Sequence, residues 1–346
     1  MTTTPTHSGA FIVSSGRCGS TLMSNLVKHH PDILSLSEVF ASMMPRAFTH
    51  GRLSGKRFWK LLNHNGVGIR KALNDKYCPD ELLYEFGPDA AYTNDTLPPL
   101  LRVTLPVISD EPEQLLQRLK PVIEAQPCRS LQGQYYFLFA WLAEDSGKKM
   151  WVERSGVSLT WMRALRLRFP KAKYVHVYRD GRDVALSINN HAGVRTFAHN
   201  WVRFRKVGID LMRPPFGLGS SKLFDVFEGT AAVVMNVDKQ LETPLSLHDI
   251  GTFWSEMVKV GMEQLDQLPA DQRFDICYED LLAEPEPILR DFINFLDPAL
   301  AHDDWLRRVA QIPSAGRSNW KSLSKADRDE LEAACAPGLE RLGYAI

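Results

Sequence analysis

The segment Ser14-Ser15-Gly16-Arg17-Cys18-Gly19-Ser20-Thr21 is made of the residue types that hold a phosphate. Glycines let backbone N–H groups approach an anion, hydroxyls add donors, and Arg17 supplies a positive charge. Set against the nucleotide-binding pattern GxxxxGK[ST], Gly19 and Thr21 stand in register. Ser14 takes the place of the first glycine and Ser20 that of the lysine. A nucleoside triphosphatase uses that lysine on its β- and γ-phosphates and the following hydroxyl on Mg²⁺. A loop with Arg17 instead suits a less charged phosphate group that needs no metal. The plainer reading of the same eight residues is a Gly/Ser turn between a strand and a helix.

A second cluster lies about 160 residues further on. Arg179 closes the apolar run Tyr174–Tyr178, and Ser187 follows about one and a half helical turns into the next segment. An arginine at a strand end with a hydroxyl nearby can clamp a separate phosphate. Asp183, Ser187, Asn190 and His191 share one stripe opposite Val184 and Ile188, which alone reads as a solvated face. Two more charged residues follow short apolar runs: Glu38 after Ile33–Leu36, and Arg154 after Met150–Val152. No His, Cys, Asp or Glu cluster has ligand spacing. His29 and His30 are helix neighbours that point about 100° apart, so no metal is expected.

The elements that must position these residues are short strands followed by helical patterns. Ala10–Val13, Ile33–Leu36, Met150–Val152, Tyr174–Tyr178 and Phe274–Tyr278 read as strands. Leu22, Met23, Leu26 and Val27 mark a helix face ending before Pro31, and a further helix spans about 284 to 296. Polar turns at the carboxyl ends of such strands are where open α/β sheets bind ligands. The expected fold is a three-layer α/β domain of the P-loop type, a central parallel sheet with helices on both faces. One domain, 1–346, is expected, with a helical cap over about 40–147 and a long excursion over about 208–249. In the cap, Met43, Met44, Phe48, Phe58 and Trp59 stand among Arg46, Arg52, Lys56 and Arg57. Core packing explains the apolar members at least as well as a pocket does.

Acidic and basic side chains balance at 41 each, so no bulk field favours nucleic acid or a membrane surface. The five cysteines are scattered, with no CxxC pair, which fits a reducing compartment. Residues 1–9 lack the basic start and apolar centre of a signal peptide, and no run approaches the length of a membrane span. A cytoplasmic protein is expected.

In combination, Ser15–Thr21 and Tyr178-Arg179-Asp180-Gly181-Arg182-Asp183 through Ser187 resemble the two nucleotide motifs of sulfotransferases that use 3′-phosphoadenosine 5′-phosphosulfate (PAPS). The loop is similar to the arginine-containing form of carbohydrate, tyrosylprotein and many bacterial members. The resemblance implies that Ser15, Gly16, Arg17, Cys18, Gly19, Ser20 and Thr21 form the 5′-phosphosulfate loop. It gives the grip itself to Arg17, Gly19, Ser20 and Thr21, and the 3′-phosphate to Arg179 and Ser187. Trp151–Gly156 resembles the family segment that carries a lysine before Ser/Thr/Asp-Pro, with Arg154 in the lysine's place. Arginine stabilises a bridging oxygen but cannot hand it a proton. Tyr278-Glu279-Asp280-Leu281 resembles the turn whose tyrosine lies near the nucleotide, and Gly316–Lys321, with Arg317 and Ser318, the loop that closes over the 3′-phosphate. Ser37-Glu38-Val39-Phe40 is similar to the segment whose glutamate serves as general base; His191 and His199 are rivals, since other sulfotransferases use histidine. The implied reaction moves a sulfuryl group from PAPS to a hydroxyl of a small-molecule, glycan or lipid-like acceptor, leaving adenosine 3′,5′-bisphosphate. A P-loop kinase, or a nucleotide-binding protein without turnover, are the alternatives.

Overall fold

The computed structural model describes residues 9–44, 46–48, 50–64, 82–87, 90–214, 243–313 and 318–346. Its strands are β1 (Gly9–Ser14), β2 (Ile33–Ser37), β3 (Arg52–Leu53), β4 (Arg129–Ser130), β5 (Met150–Arg154), β6 (Lys173–Tyr178) and β7 (Arg273–Cys277). Five of them form one sheet in the order β2-β5-β1-β6-β7, and every pairing in it is parallel. Ala10, Phe11, Ile12 and Val13 are all buried, as a strand covered on both faces by crossover helices requires. The expected α/β fold is present, with each expected strand in place to within one or two residues. Tyr178 ends β6, whereas Tyr278 opens a helix beyond β7.

The connection leaving β1 runs towards β2 on one side, and the connection leaving β6 runs towards β7 on the other. Such divergence opens a crevice between neighbouring strands at their carboxyl ends. The Ser15–Thr21 loop follows β1 and the Arg179–Arg182 turn follows β6, so the two motifs face each other across it.

The helices are α1 (Ser20–Lys28), α2 (Val39–Met43), α3 (Gly55–Leu62), α4 (Pro99–Arg102), α5 (Thr104–Ile108), α6 (Pro112–Glu124), α7 (Leu131–Asp145) and α8 (Met162–Arg168). Beyond β6 come α9 (Gly181–Asn189), α10 (Ala192–Arg205), α11 (Leu247–Leu265), α12 (Tyr278–Ala283), α13 (Pro285–Leu296), α14 (Asp303–Val309) and α15 (Lys325–Arg341).

Between residues 40 and 147 the described elements are helices and one short antiparallel pair, β3–β4, which no sequence pattern announced, while 82–87 and 90–98 are neither helix nor strand. Phe40 packs on Phe48 and Tyr135 at ring distances of 4.8 and 5.0 Å, and Phe11 on Phe169 and Trp151 at 4.9 and 5.3 Å. Met43, Phe48 and Phe58 are buried in this core, which accounts for the apolar residues of the cap without a pocket. The 208–249 stretch ends in α11, which starts at Leu247; residues 215–242 of it lie outside the described residues.

Three helices lock together at Trp254. A Cβ on Gly181 or Gly338 would fall 2.1 and 2.5 Å from its ring, so α9 and α15 approach α11 at glycine distance. That packing fixes the helix carrying Ser187. No helix among the described residues is long and apolar enough to cross a membrane.

Candidate active site

The loop after β1 is folded by its own hydroxyls. The Ser14 Oγ accepts the Gly16 N–H at 3.1 Å and donates to the Ser20 Oγ at 3.2 Å, while the Ser14 N–H donates to the Ser158 Oγ at 2.9 Å. Gly16, Arg17 and Gly19 take the left-handed conformation, with φ of 74°, 56° and 92°. Gly19 is the N-cap residue of α1 and, having no side chain, makes no capping bond, so the loop stands over the N-terminus of that helix. Side chains in the segment divide sharply. Ser15, Cys18 and Ser20 are buried, and the Cys18 thiol donates to the Val177 carbonyl at 3.1 Å, with burial pushing its pKa up. Arg17 and Thr21 are exposed. Cys18 and Ser20 therefore present backbone to the crevice, and Arg17 is the charge in it.

Arg17 reaches across the crevice: its Nε donates to the Ser187 Oγ on α9 at 3.1 Å. Arg179 leans on the Tyr278 ring, 4.9 Å from guanidinium carbon to centroid, and pairs with Asp183 at 3.4 Å. The Tyr278 ring also covers Gly19, where a Cβ would lie 2.1 Å from it. Loop, Arg179 and Tyr278 are thus one packed unit. Asp183 is buried, not solvated: its Oδ1 accepts the N–H groups of Asn319 and Trp320 at 2.7 and 3.2 Å, and Arg182 stacks 4.0 Å from the Trp320 ring. The C-terminal segment is therefore pinned to α9. Ser318 is exposed beside that anchor, and Arg317 lies outside the described residues.

On the other flank Glu38 sits just beyond β2, also left-handed at φ 59°. Its N–H donates to the Arg154 carbonyl at 2.8 Å, extending the β2–β5 ladder by one bond. Its carboxylate is gripped by the Arg154 guanidinium and by the Gly156 N–H at 3.1 Å. Arg154 is 7 % exposed, and its Nε has no hydrogen-bond partner among the described residues. Val157, left-handed at φ 50°, packs against Gly16, which ties this flank to the loop. Parallel strands lie about 4.8 Å apart. Glu38, Arg154, the loop, Arg179 and Tyr278 accordingly follow one another along a single sheet edge, one per strand.

Three contributors escaped the sequence reading. Glu279 accepts the Asp180 N–H at 3.0 Å and the Tyr344 O–H at 2.7 Å, tying the turn after β6 to the C-terminus. Ser155 and Glu153 lie buried beneath Glu38. A one-letter view offers no sign of these roles, because Glu279 and Ser155 meet Asp180, Tyr344, Phe40 and Ala41 from far along the chain.

The rival histidines are occupied. His191 is the N-cap of α10, and its Nδ1 accepts the Val194 N–H at 3.3 Å, which places the ring proton on Nε2. His199 donates from Nε2 to the Thr243 carbonyl at 2.7 Å.

No protein-family model matches the chain, and no curated protein matches it. Among solved structures it is similar to the sulfotransferase domain of the curacin biosynthetic pathway, with 15 % identity and a TM-score of 0.47, over 98 % of this chain and 99 % of that one. Sulfotransferase STF9 from Mycobacterium avium gives 16 % and 0.46, over 99 % and 78 %. The sulfotransferase domain of the Synechococcus PCC 7002 olefin synthase gives 17 % and 0.43, over 99 % and 98 %. At that level of likeness the chemistry must be read from the residues of this chain.

Burial, then the Arg17 charge, lowers the His191 pKa to about 4, so the imidazole is neutral near pH 7. The unfolded chain takes up that proton near pH 6.5, so the native state loses this contribution to stability as pH falls from 6.5 through 4. An NMR titration of the His191 ring should give a midpoint near 4, and a midpoint above 6 would contradict this burial and charge environment.

Proposed function

We propose that the protein is a PAPS-dependent sulfotransferase acting on an acceptor hydroxyl. The observation that carries the reading is the bond from Arg17 to Ser187, which joins the loop after β1 to the helix after β6 across the sheet's crevice. The two candidate phosphate-holding features thus come from neighbouring strands, an arrangement that supports binding of a nucleotide with separate 5′- and 3′-phosphates. Cationic side chains stand on both sides, Arg154 on β5 and Arg179 after β6, and the position of the triphosphatase lysine belongs to the buried Ser20. The Arg154 Nε, without a partner among the described residues, and the N-terminus of α1, whose glycine N-cap offers no side-chain acceptor, are donors that a sulfuryl or phosphate group would satisfy.

In this reading Arg17, Gly19, Ser20 and Thr21 hold the 5′-phosphosulfate, with Ser20 acting through its backbone. Arg179 and Ser187 hold the 3′-phosphate, Tyr278 lies beside the nucleotide, and Ser318 and Arg317 belong to the closing segment. The acceptor oxygen attacks sulfur, the bond from sulfur to the 5′-phosphate oxygen breaks, and adenosine 3′,5′-bisphosphate leaves. Charge grows on the sulfuryl oxygens and the departing phosphate, where fixed arginines and N–H groups are worth most. Glu38 takes the acceptor's proton. Arg154 and the Gly156 N–H hold its carboxylate in place and leave the unshared lone pairs for that proton. Glu38 is preferred over the histidines because His191 keeps its proton on Nε2 and His199 is bound to Thr243. A small-molecule, glycan or lipid-like alcohol is the proposed acceptor class, and the cytoplasm the proposed location.

Charge-assisted contacts are worth about 1.5–3 kcal/mol, so Arg179→Ala should weaken adenosine 3′,5′-bisphosphate binding by roughly ten- to more than a hundredfold. Affinity for adenosine 5′-phosphate should barely move. Equal losses for both nucleotides in calorimetry would remove Arg179 from the 3′-phosphate site.

Glu38→Gln keeps shape and removes the proton acceptor, and should lower kcat by about 10²–10⁴-fold with PAPS affinity nearly unchanged. Once an acceptor emerges from a panel of alcohols, phenols and sugars, turnover within a few-fold of wild type would place the base elsewhere.

A further inference from the structure

Glu38 is the N-cap residue of α2, yet its side chain makes no capping bond. An acidic N-cap residue ordinarily accepts the N–H groups of the first turn with its own carboxylate. Here the carboxylate turns the other way, to Arg154 and Gly156. The first-turn donors are nevertheless satisfied. The N–H groups of Phe40 and Ala41 both point to the Ser155 Oγ, each at 3.2 Å, from a residue more than 110 positions later in the chain. A serine hydroxyl has one donor and two acceptor sites. Both acceptor sites of Ser155 are taken by α2, and its O–H donates to the Glu153 Oε1 at 2.6 Å. The hydroxyl is saturated, and it is fully buried, so its hydrogen can go nowhere else.

We propose that Ser155, oriented by Glu153, caps α2 in place of Glu38 and so keeps the Glu38 carboxylate turned towards the acceptor. Ser155 and Glu153 are positioning residues for the proton transfer; neither touches the nucleotide or the reacting oxygen. The idea rests on the reading of Glu38 as the proton acceptor. Its physical content is a competition. Without the surrogate cap, the Phe40 and Ala41 N–H groups lose the Ser155 oxygen, and the side chain ordinarily placed to take such donors is that of the N-cap residue, Glu38, which would have to leave Arg154; the Glu153 carboxyl, itself near the Phe40 N–H, belongs to the same surrogate cap. Glu153 is buried at 2 % exposure, and that burial raises its pKa to about 8, with the Glu38 charge adding to the rise. Around neutrality it is largely a neutral acid whose carbonyl oxygen accepts from Ser155, so a glutamine can replace it in that role.

Ser155→Ala, Glu153→Leu and Glu153→Gln should be compared with wild type and Glu38→Gln. Amide hydrogen exchange at Phe40 and Ala41 reads the cap directly and needs no acceptor. Loss of a cap should speed it by roughly 2- to 30-fold in Ser155→Ala and Glu153→Leu, with Glu153→Gln close to wild type. In the same variants, release of adenosine 3′,5′-bisphosphate from PAPS with a phenol, an alcohol and a sugar should show kcat reduced about 10- to 100-fold. The KM for PAPS and the affinity for the bisphosphate should hold within a few-fold. Unchanged exchange at Phe40 and Ala41, or kcat close to wild type while Glu38→Gln is inactive, would overturn the proposal. If Glu38→Gln itself keeps its kcat, the reading of Glu38 fails, and the exchange data still decide whether Ser155 is the cap. Should Ser155→Ala not fold, the Leu and Gln variants at Glu153 carry the same comparison.

Discussion

Arg17, Glu38 and Val157 hold left-handed backbone angles, a conformation that costs a residue with a Cβ about 1–2 kcal/mol. They are the non-glycine residues with positive φ among the described residues, and they follow β1, β2 and β5. These three strand ends are adjacent in the sheet. Strain persists only where the surroundings over-determine it. Glu38 is held by the ladder bond to Arg154 and by the capping contacts of α2 with Ser155. Val157 is held against a glycine whose missing Cβ leaves it room, and Arg17 by its reach to Ser187. Release any one and its neighbours lose a wall. These contacts come from the protein's own groups, which is what the electrostatic stabilisation proposed above requires.

The parallel sheet gathers these residues along one edge, the candidate site. Every strand contributes a residue at or shortly beyond its carboxyl end, and the strand order decides who stands beside whom. Glu38 and Arg154 are 116 positions apart in sequence and meet because β2 pairs with β5. Arg179 and Tyr278 meet because β6 pairs with β7. Positive charge is carried by arginines fixed through packing and hydrogen bonds, Arg179 on Tyr278 and Arg154 on Glu38.

How much of this was visible in the sequence follows from the range of each interaction. The strands were legible because burial on both faces makes them continuous apolar runs. The loop was legible because its glycines and hydroxyls are neighbours along the chain, and Arg179 with Ser187 because one helix sets their spacing. Which side chains face the crevice was not: Cys18 and Ser20 point into the core, and only a fold can say so. Asp183 looked like part of a solvated stripe because its partners, Asn319 and Trp320, lie more than 130 positions away. The cap's aromatic residues looked like a pocket or a core with equal ease, until Phe11 and Phe169 were seen to complete the cluster. Ser155 and Glu279 lie inside segments that the sequence singled out, yet their hydrogen-bond roles cannot be read there because their partners are far along the chain.

Everything turns on whether this edge recognises a nucleotide with separate 5′- and 3′-phosphates through arginines rather than through a metal. The direct measurement is calorimetric titration of the wild-type protein with adenosine 3′,5′-bisphosphate in EDTA, beside ATP with Mg²⁺. Tight binding of the bisphosphate in EDTA, with ATP–Mg²⁺ much weaker, is the predicted result. Binding of ATP that requires Mg²⁺, with no affinity for the bisphosphate, would contradict it.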